Sequence, residues 1–315
     1  MTIRGRYAPS PTGYLHLGNA RTALVAYWHT KAQNGTFVMR VEDLDSARSK
    51  PEMVTANLDE LRWLGLRWDE GPDVSGPFEL YIQSQRFSLY EEALAKLSAQ
   101  NRAFECYLSR KDLREIASAP HGQMPLYGRA ERATNERVKD QKILEGKPPS
   151  LRFRVDEPSF TFRDELQGKQ TIKLGDFVVK RADGEWAYQL AVVVDDSAMN
   201  ITEVVRGDDL LQSTAAQLLL YDALELTPPT FLHVPLLMDE TGERMAKRKG
   251  SLTLTALKEQ GVKPERVVGL LAHTLGLMPE PGELSVQEGL ELYRSTSLSP
   301  FPFSLSSKLL EWLTQ

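Results

Sequence analysis

A single cysteine, Cys106, stands among 315 residues, which excludes an internal disulfide framework and a cysteine-rich metal site built from this chain alone. Long apolar runs are missing too. No stretch approaches the roughly 18 residues of a membrane-spanning helix, and the first residues lack the apolar core of a signal peptide. The expectation is a soluble, cytoplasmic protein with no membrane partner. Positive charge is not in excess: 38 Lys and Arg stand against 43 Asp and Glu, for a net charge of −5. That removes a global electrostatic footprint for a polyanion and leaves local patches, such as Arg244, Lys247, Arg248 and Lys249. Internal repeats and low-complexity segments are absent as well. What is present is a chain 41% hydrophobic, enough for one large core or two modest ones.

The short apolar run Ile3–Ala8 reads as a buried strand, ended by Pro9, Pro11 and Gly13. Asn19 reads as the cap of a helix through Ala20–Trp28. A helix opening there aims free backbone N–H groups at whatever lies above the strand, and polyphosphate is the usual occupant. Thr36–Asp43 reads as a strand that delivers carboxylates to a ligand crevice. Val54, Leu58, Leu61 and Leu64, then Leu89, Leu94 and Leu97, recur at helical spacing. This alternation of strand and helix predicts an α/β sheet.

From about Asn101 to Gln170 proline and glycine punctuate a polar, charged sequence that reads as an insertion, with Lys111 to Lys147 as a solvated helical surface. Strand signals return at Asp176–Arg181, Trp186–Asp196 and Ile201–Gly207, followed by a helix from Leu210 to about Leu226 and an apolar run at Phe231–Met238. The remainder reads as helical, with Val267, Leu270, Leu271, Thr274 and Leu275 as its clearest stripe and a last helix near Leu309–Leu313. The expected organisation is the first half of a nucleotide-binding domain over 1–100, an insertion over 101–170, the second half over 171–251 and a helical region over 252–315.

Asp239–Ser251 forms a basic, glycine-bounded loop, in which Lys247 and Arg248 suit the neutralisation of charge building toward a leaving pyrophosphate. With His16-Leu17-Gly18-Asn19 in the place of the HIGH signature and Arg244-Met245-Ala246-Lys247-Arg248 in the place of KMSKS, the chain resembles the class I aminoacyl-tRNA synthetases. Arg6–Gly13, Arg40–Asp45, Gln83–Arg86, Tyr188–Asp196 and Val205–Leu210 resemble the glutamyl branch in order and spacing. Glutamyl-tRNA synthetases carry a large helical anticodon-binding region beyond the basic loop, and glutaminyl enzymes carry β-barrels there. With residues 252–315 alone following Ser251, the chain is similar to the truncated glutamyl-Q tRNA(Asp) synthetase family of that branch.

The resemblance implies a Rossmann-like class I fold with a mostly parallel sheet, activation of L-glutamate with ATP and Mg²⁺, and transfer of glutamate to the queuosine base in the anticodon loop of tRNA(Asp), by a monomer. Two readings stay open beside it: a glutamyl-tRNA synthetase core that charges a tRNA 3′ end, and a synthetase-like protein that binds RNA or amino acid without catalysis. One departure concerns metal. The family often binds zinc through Cys-x-Cys, a Tyr and a Cys four residues later. Here Cys106 and Tyr127 match, whereas Leu108 and Glu131 replace ligands. Tetrahedral structural zinc does not tolerate two such losses, so the expectation is no metal and a buried, inert Cys106.

Glutamate offers one ammonium and two carboxylates, so its pocket needs an acid and two fixed cations. Glu42 suits the ammonium, and Arg6 and Arg206 suit the carboxylates because a guanidinium fork matches a carboxylate in two bonds. By resemblance Arg206 faces the side-chain carboxylate, and Ala8, Ser10 and Tyr188 complete the glutamate pocket. ATP is expected near Pro9, His16, Gly18, Asn19 and Lys247, with its adenine against the backbone at Gly18. The catalytic set is His16, Asn19, Lys247 and Arg248. For Arg206 the competing reading is an ion pair with Asp208 or Asp209.

Overall fold

The computed structural model describes residues 2–78, 80–109, 112, 126–242 and 252–315. From the N-terminus, β1 (Arg4–Tyr7) leads to α1 (Leu17–Ala32), β2 (Thr36–Met39), α2 (Pro51–Trp63) and α3 (Phe87–Ala99). There follow β3 (Ala103–Cys106), α4 (Arg129–Leu144), β4 (Ser150–Phe153), the hairpin β5 (Ser159–Asp164) and β6 (Gly168–Lys173), and β7 (Phe177–Lys180). The chain then returns through α5 (Tyr188–Ala198), β8 (Glu203–Gly207), α6 (Leu211–Ala223), β9 (Thr230–Val234) and β10 (Leu237–Met238). Beyond residue 251 lie α7 (Leu254–Glu259), α8 (Pro264–Thr274), α9 (Val286–Ser295), β11 (Phe303–Ser304) and α10 (Ser307–Thr314).

The central sheet runs β2-β1-β8-β9 with every pairing parallel. Its strands come from both ends of the intervening region, so the insertion splits the nucleotide fold between β2 and β8. The second sheet, β3-β4-β7, is antiparallel. The strand expected at Asp176–Arg181 is therefore present as β7, and its partner is β4 of the second sheet.

Two expectations are corrected. The segment Trp186–Asp196 is mostly α5: Leu190 through Asp196 are all buried, and a helix buried on every side shows no 3.6-residue period to separate it from a buried strand. The cap of α1 is His16, with Asn19 inside the first turn, where its side-chain oxygen accepts the His16 N–H at 3.3 Å. The helix starts earlier because Leu17 belongs to its buried face and is fully enclosed.

Helix α1 packs between the sheet and the C-terminal helices. A Cβ at Gly5 would lie 1.9 Å from Thr30 Oγ1, so only glycine lets β1 approach α1 this closely. On the other side Trp28 donates its indole N–H to the Val286 carbonyl at 2.8 Å. The stripe Val267, Leu270, Leu271, Thr274 and Leu275 is buried against the same core, each large apolar member contributing roughly 1.5–3 kcal/mol relative to exposure.

In the second sheet Cys106 packs with Leu108 and Tyr127, all buried, and its Sγ lies 3.4 Å from the Tyr127 hydroxyl. Glu131 is turned to its own helix, accepting the Gly128 N–H at 2.8 Å. Among the described residues no group of three or more His, Cys, Asp or Glu is placed to hold a metal.

Candidate active site

A cavity of about 460 Å³ opens at the C-terminal ends of β1 and β8, the position at which parallel sheets bind ligands. Arg6, Ala8, Pro9, Ser10, His16, Gly18, Asn19, Glu42, Tyr188 and Arg206 all line it. Lys247 and Arg248 lie outside the described residues.

Two strand ends and one helix start build the floor. His16 sits at the opening of α1, whose first residues Gly18, Asn19, Arg21 and Thr22 line the cavity, and the first N–H groups of a helix have no intrahelical acceptors. A Cβ at Gly18 would fall 3.2 Å from the His16 ring. The chain's own imidazole thus leaves little room for a side chain at Gly18. Glu60 ties this loop to the chain beyond residue 251: it accepts the Leu15 N–H at 2.8 Å and the Thr255 N–H and hydroxyl at 2.8 and 2.7 Å. Leu254 N–H also donates to the Leu15 carbonyl at 2.8 Å.

The cations around the cavity are treated differently. Arg6 places Nε and Nη2 on the two oxygens of Asp196 at 3.2 and 3.3 Å, and Nη1 on the Val205 carbonyl at 3.4 Å. Arg40, fully buried, donates to Asp196 at 2.7 Å and to Glu42 at 2.9 Å. Burial is the largest single influence on both guanidinium groups and lowers their pKa, but the surrounding carboxylates together outweigh it, Asp196 and Glu42 around Arg6 and Asp196, Asp195 and Glu42 around Arg40, so that both end above the usual arginine value. Asp196 itself is pushed up by burial and pulled further down by Arg40 and Arg6. Glu42 has the opposite balance: burial wins over Arg40 and Arg6 and holds its carboxyl above the ordinary glutamate value.

Arg206 is 4% exposed and is held by neutral groups. It donates to Tyr188 Oη at 3.3 Å, Thr214 Oγ1 at 2.8 Å, His233 Nε2 at 3.0 Å and the Leu210 carbonyl at 3.5 Å. Among the described residues no carboxylate stands within 4.0 Å of it, so it pairs with neither Asp208 nor Asp209. Burial pulls its pKa below the usual arginine value, yet a guanidinium stays charged. Arg21, 1% exposed, also borders the cavity, with its donors on Thr274 and the Pro235 carbonyl.

The sequence motifs acquire partners here. Gln83 and Arg86 hold Asp195 at 2.8 and 2.6 Å, joined by the Tyr90 hydroxyl at 2.8 Å, which locks α5 and so sets Asp196 and Tyr188. Sequence reasoning assigned no role to Arg21, Arg40, Asp196, Thr214 or His233. The adjacent pair Asp195-Asp196 was the available signal, since two buried acids on an apolar helix need cations to face.

Residues 2–301 match the family model described as tRNA synthetases class I (E and Q), catalytic domain. The chain is 49% identical to the glutamyl-Q tRNA(Asp) synthetase of Symbiobacterium thermophilum over 92% of its own length and 91% of the relative's. It is 43% identical to the protein of the same name from Nitratidesulfovibrio vulgaris, over 99% and 98% of the two chains. Its structure superposes on that of the glutamate-tRNA synthetase from Elizabethkingia anophelis with a TM-score of 0.87 and 27% identity, covering 99% of this chain and 70% of that one. No described helix is long and apolar enough to cross a membrane. With a split parallel sheet, a cavity at its switch point and a family match over nearly the whole chain, this protein belongs to the class I tRNA synthetases of the glutamate and glutamine type.

Proposed function

We propose that this protein activates L-glutamate with MgATP and transfers the glutamyl group to the queuosine base of tRNA(Asp). The observation that carries the amino-acid assignment is Arg206, a buried cation facing a cavity with, among the described residues, only neutral acceptors in hydrogen-bond contact with it. A carboxylate side chain would neutralise it; an amide would leave it uncompensated. Tyr188 flanks that carboxylate, Glu42 takes the α-ammonium, and Ala8, Ser10 and the free face of Arg6 enclose the backbone end of the amino acid. The phosphates of ATP lie over Pro9, Gly18 and the start of α1, with His16 and Asn19 as donors. Lys247 and Arg248 close on the departing pyrophosphate.

The α-carboxylate is already nucleophilic, so no general base is required. Its oxygen forms a bond to the α-phosphorus, the bond to the bridging oxygen breaks, and pyrophosphate leaves; an acceptor hydroxyl then attacks the carbonyl carbon and AMP leaves. Positioning and charge stabilisation supply the catalysis. For the acceptor, support comes from relatives 43–49% identical that carry the glutamyl-Q tRNA(Asp) synthetase name. The test is to offer radiolabelled glutamate with queuosine-containing tRNA(Asp), queuosine-free tRNA(Asp) and tRNA(Glu). Label confined to the first supports the reading. The fold's likeness to a glutamate-tRNA synthetase favours a second reading, transfer to a tRNA 3′ end, and label on tRNA(Glu) alone would establish that one instead.

A further inference from the structure

Behind Arg206 lies a second tier of polar groups sealed from the cavity. His233 on β9 and Asp164 at the end of β5 are both fully buried, and Asp164 Oδ2 lies 2.6 Å from His233 Nδ1. The other oxygen of Asp164 accepts the Leu166 and Gln167 N–H groups at 3.0 and 2.8 Å. Burial pushes this carboxyl up, but the hydrogen bonds from His233 and the backbone outweigh it and keep it below the ordinary value. An ionised Asp164 requires the proton of His233 to sit on Nδ1, which leaves Nε2 as a bare acceptor. Arg206 donates its Nε–H to that lone pair at 3.0 Å. Thr214, which accepts from Arg206 Nη2 at 2.8 Å, stands 3.2 Å from the same nitrogen with its hydroxyl proton available. Burial holds the imidazole below its ordinary pKa, outweighing Asp164, and the Arg206 cation lowers it further.

We propose that His233, held in one tautomer by Asp164, is a positioning residue that aims the Arg206 guanidinium into the cavity with its charge unneutralised, and thereby sets the preference for a carboxylate over an amide side chain. The inference rests on the assignment of Arg206 to the glutamate side chain. A carboxylate in direct contact would hold the arginine as firmly, as Asp196 holds Arg6, but it would cancel the charge that the ligand is meant to meet. An imidazole supplies a directed acceptor and moves the anion one ring further away. Asp164 belongs to the β5–β6 hairpin, docked on β9 by the Glu165 N–H to Phe231 carbonyl bond at 2.8 Å. The hairpin thus contributes to specificity without reaching the ligand.

The test uses Asp164→Asn, His233→Leu and His233→Gln. In Asp164→Asn the backbone N–H groups keep the amide oxygen, so its NH₂ faces Nδ1, and His233 must carry its proton on Nε2 against the Arg206 donor. His233→Leu removes the acceptor and His233→Gln restores one at similar reach. Glutamate-dependent ATP–pyrophosphate exchange, with tRNA present, is read as separate KM values for glutamate and ATP and as the glutamate-to-glutamine ratio of kcat/KM. Expected are a rise in glutamate KM of about tenfold or more in the first two variants, a matching loss of discrimination, an unmoved ATP KM, and recovery in His233→Gln. Folded variants with the native glutamate KM and discrimination overturn the proposal, and so does an equal rise in both KM values. Nitrogen-15 NMR of His233 in the unmodified protein gives a readout independent of activity: an Nδ1-protonated neutral ring at neutral pH supports the proposal, and an Nε2–H ring or an imidazolium overturns it. Absence of glutamate activation in the unmodified protein would fail the functional reading, with the tautomer measurement still deciding this one.

Discussion

Two buried arginines reach one cavity from neighbouring strands, Arg6 from β1 and Arg206 from β8, and their surroundings are opposites. Arg6 is ion-paired with Asp196, a carboxylate it shares with Arg40, and its pKa is raised. Arg206 is gripped by a phenol, a hydroxyl, an imidazole and a carbonyl, and its pKa is lowered. The difference separates a cavity-lining cation whose charge is already met inside the protein from one that, among the described residues, meets no carboxylate and so suits the ligand role proposed for it. An unpaired buried charge costs stability, and a protein retains it where binding needs it.

The comparison breaks most visibly at Asp196. Asp196→Asn leaves Arg6 and Arg40 short of charge, and the expected loss is about 3–5 kcal/mol of folding stability, read in urea titration. Because its folded pKa is depressed, the stability Asp196 contributes is present above the ordinary carboxyl range and lost as pH falls through its folded value. Arg206→Leu should act on the ligand instead: glutamate kcat/KM falls at least about a hundredfold, Arg206→Lys recovers part of it, and the midpoint of thermal unfolding shifts less than for Asp196→Asn. Equal destabilisation by the two variants would erase the distinction.

Glu42→Gln is expected to raise glutamate KM by roughly thirtyfold with no loss of thermal stability, since its carboxyl is held above the ordinary value by burial. The sign follows from that direction: binding of the ammonium weakens as pH falls through the raised pKa, whereas the folding penalty of the buried carboxylate is relieved over the same interval. A glutamate KM that is flat with pH down to the ordinary carboxyl range would remove Glu42 from the ammonium site. Tyr188→Phe is the mildest test, a loss of one hydrogen bond to Arg206 worth about 0.5–1.5 kcal/mol, seen as a two- to tenfold rise in glutamate KM.

Much of this site was legible because its chemistry is local. The strand before Pro9, the helix after His16 and the carboxylate at Glu42 each follow from residues within one or two turns of one another. Helix α5 was misread because its buried run Leu190–Asp196 has no polar face to give it a period. The pairing of Arg6 with Asp196 spans 190 positions, and that of His233 with Asp164 spans 69; neither separation leaves a periodic mark. At Gly18 nothing in the sequence signalled the imidazole two residues away, which would lie 3.2 Å from a Cβ placed there.

By itself the sequence determined an α/β nucleotide fold split by an insertion, the loop that opens α1, and the inventory of acids and arginines that a glutamate pocket requires. Only the tertiary structure decided which arginine is neutralised and which is left charged. The reason is physical: apolar period and turn chemistry act between near neighbours along the chain, whereas the state of a buried charge is set by distance and burial in three dimensions.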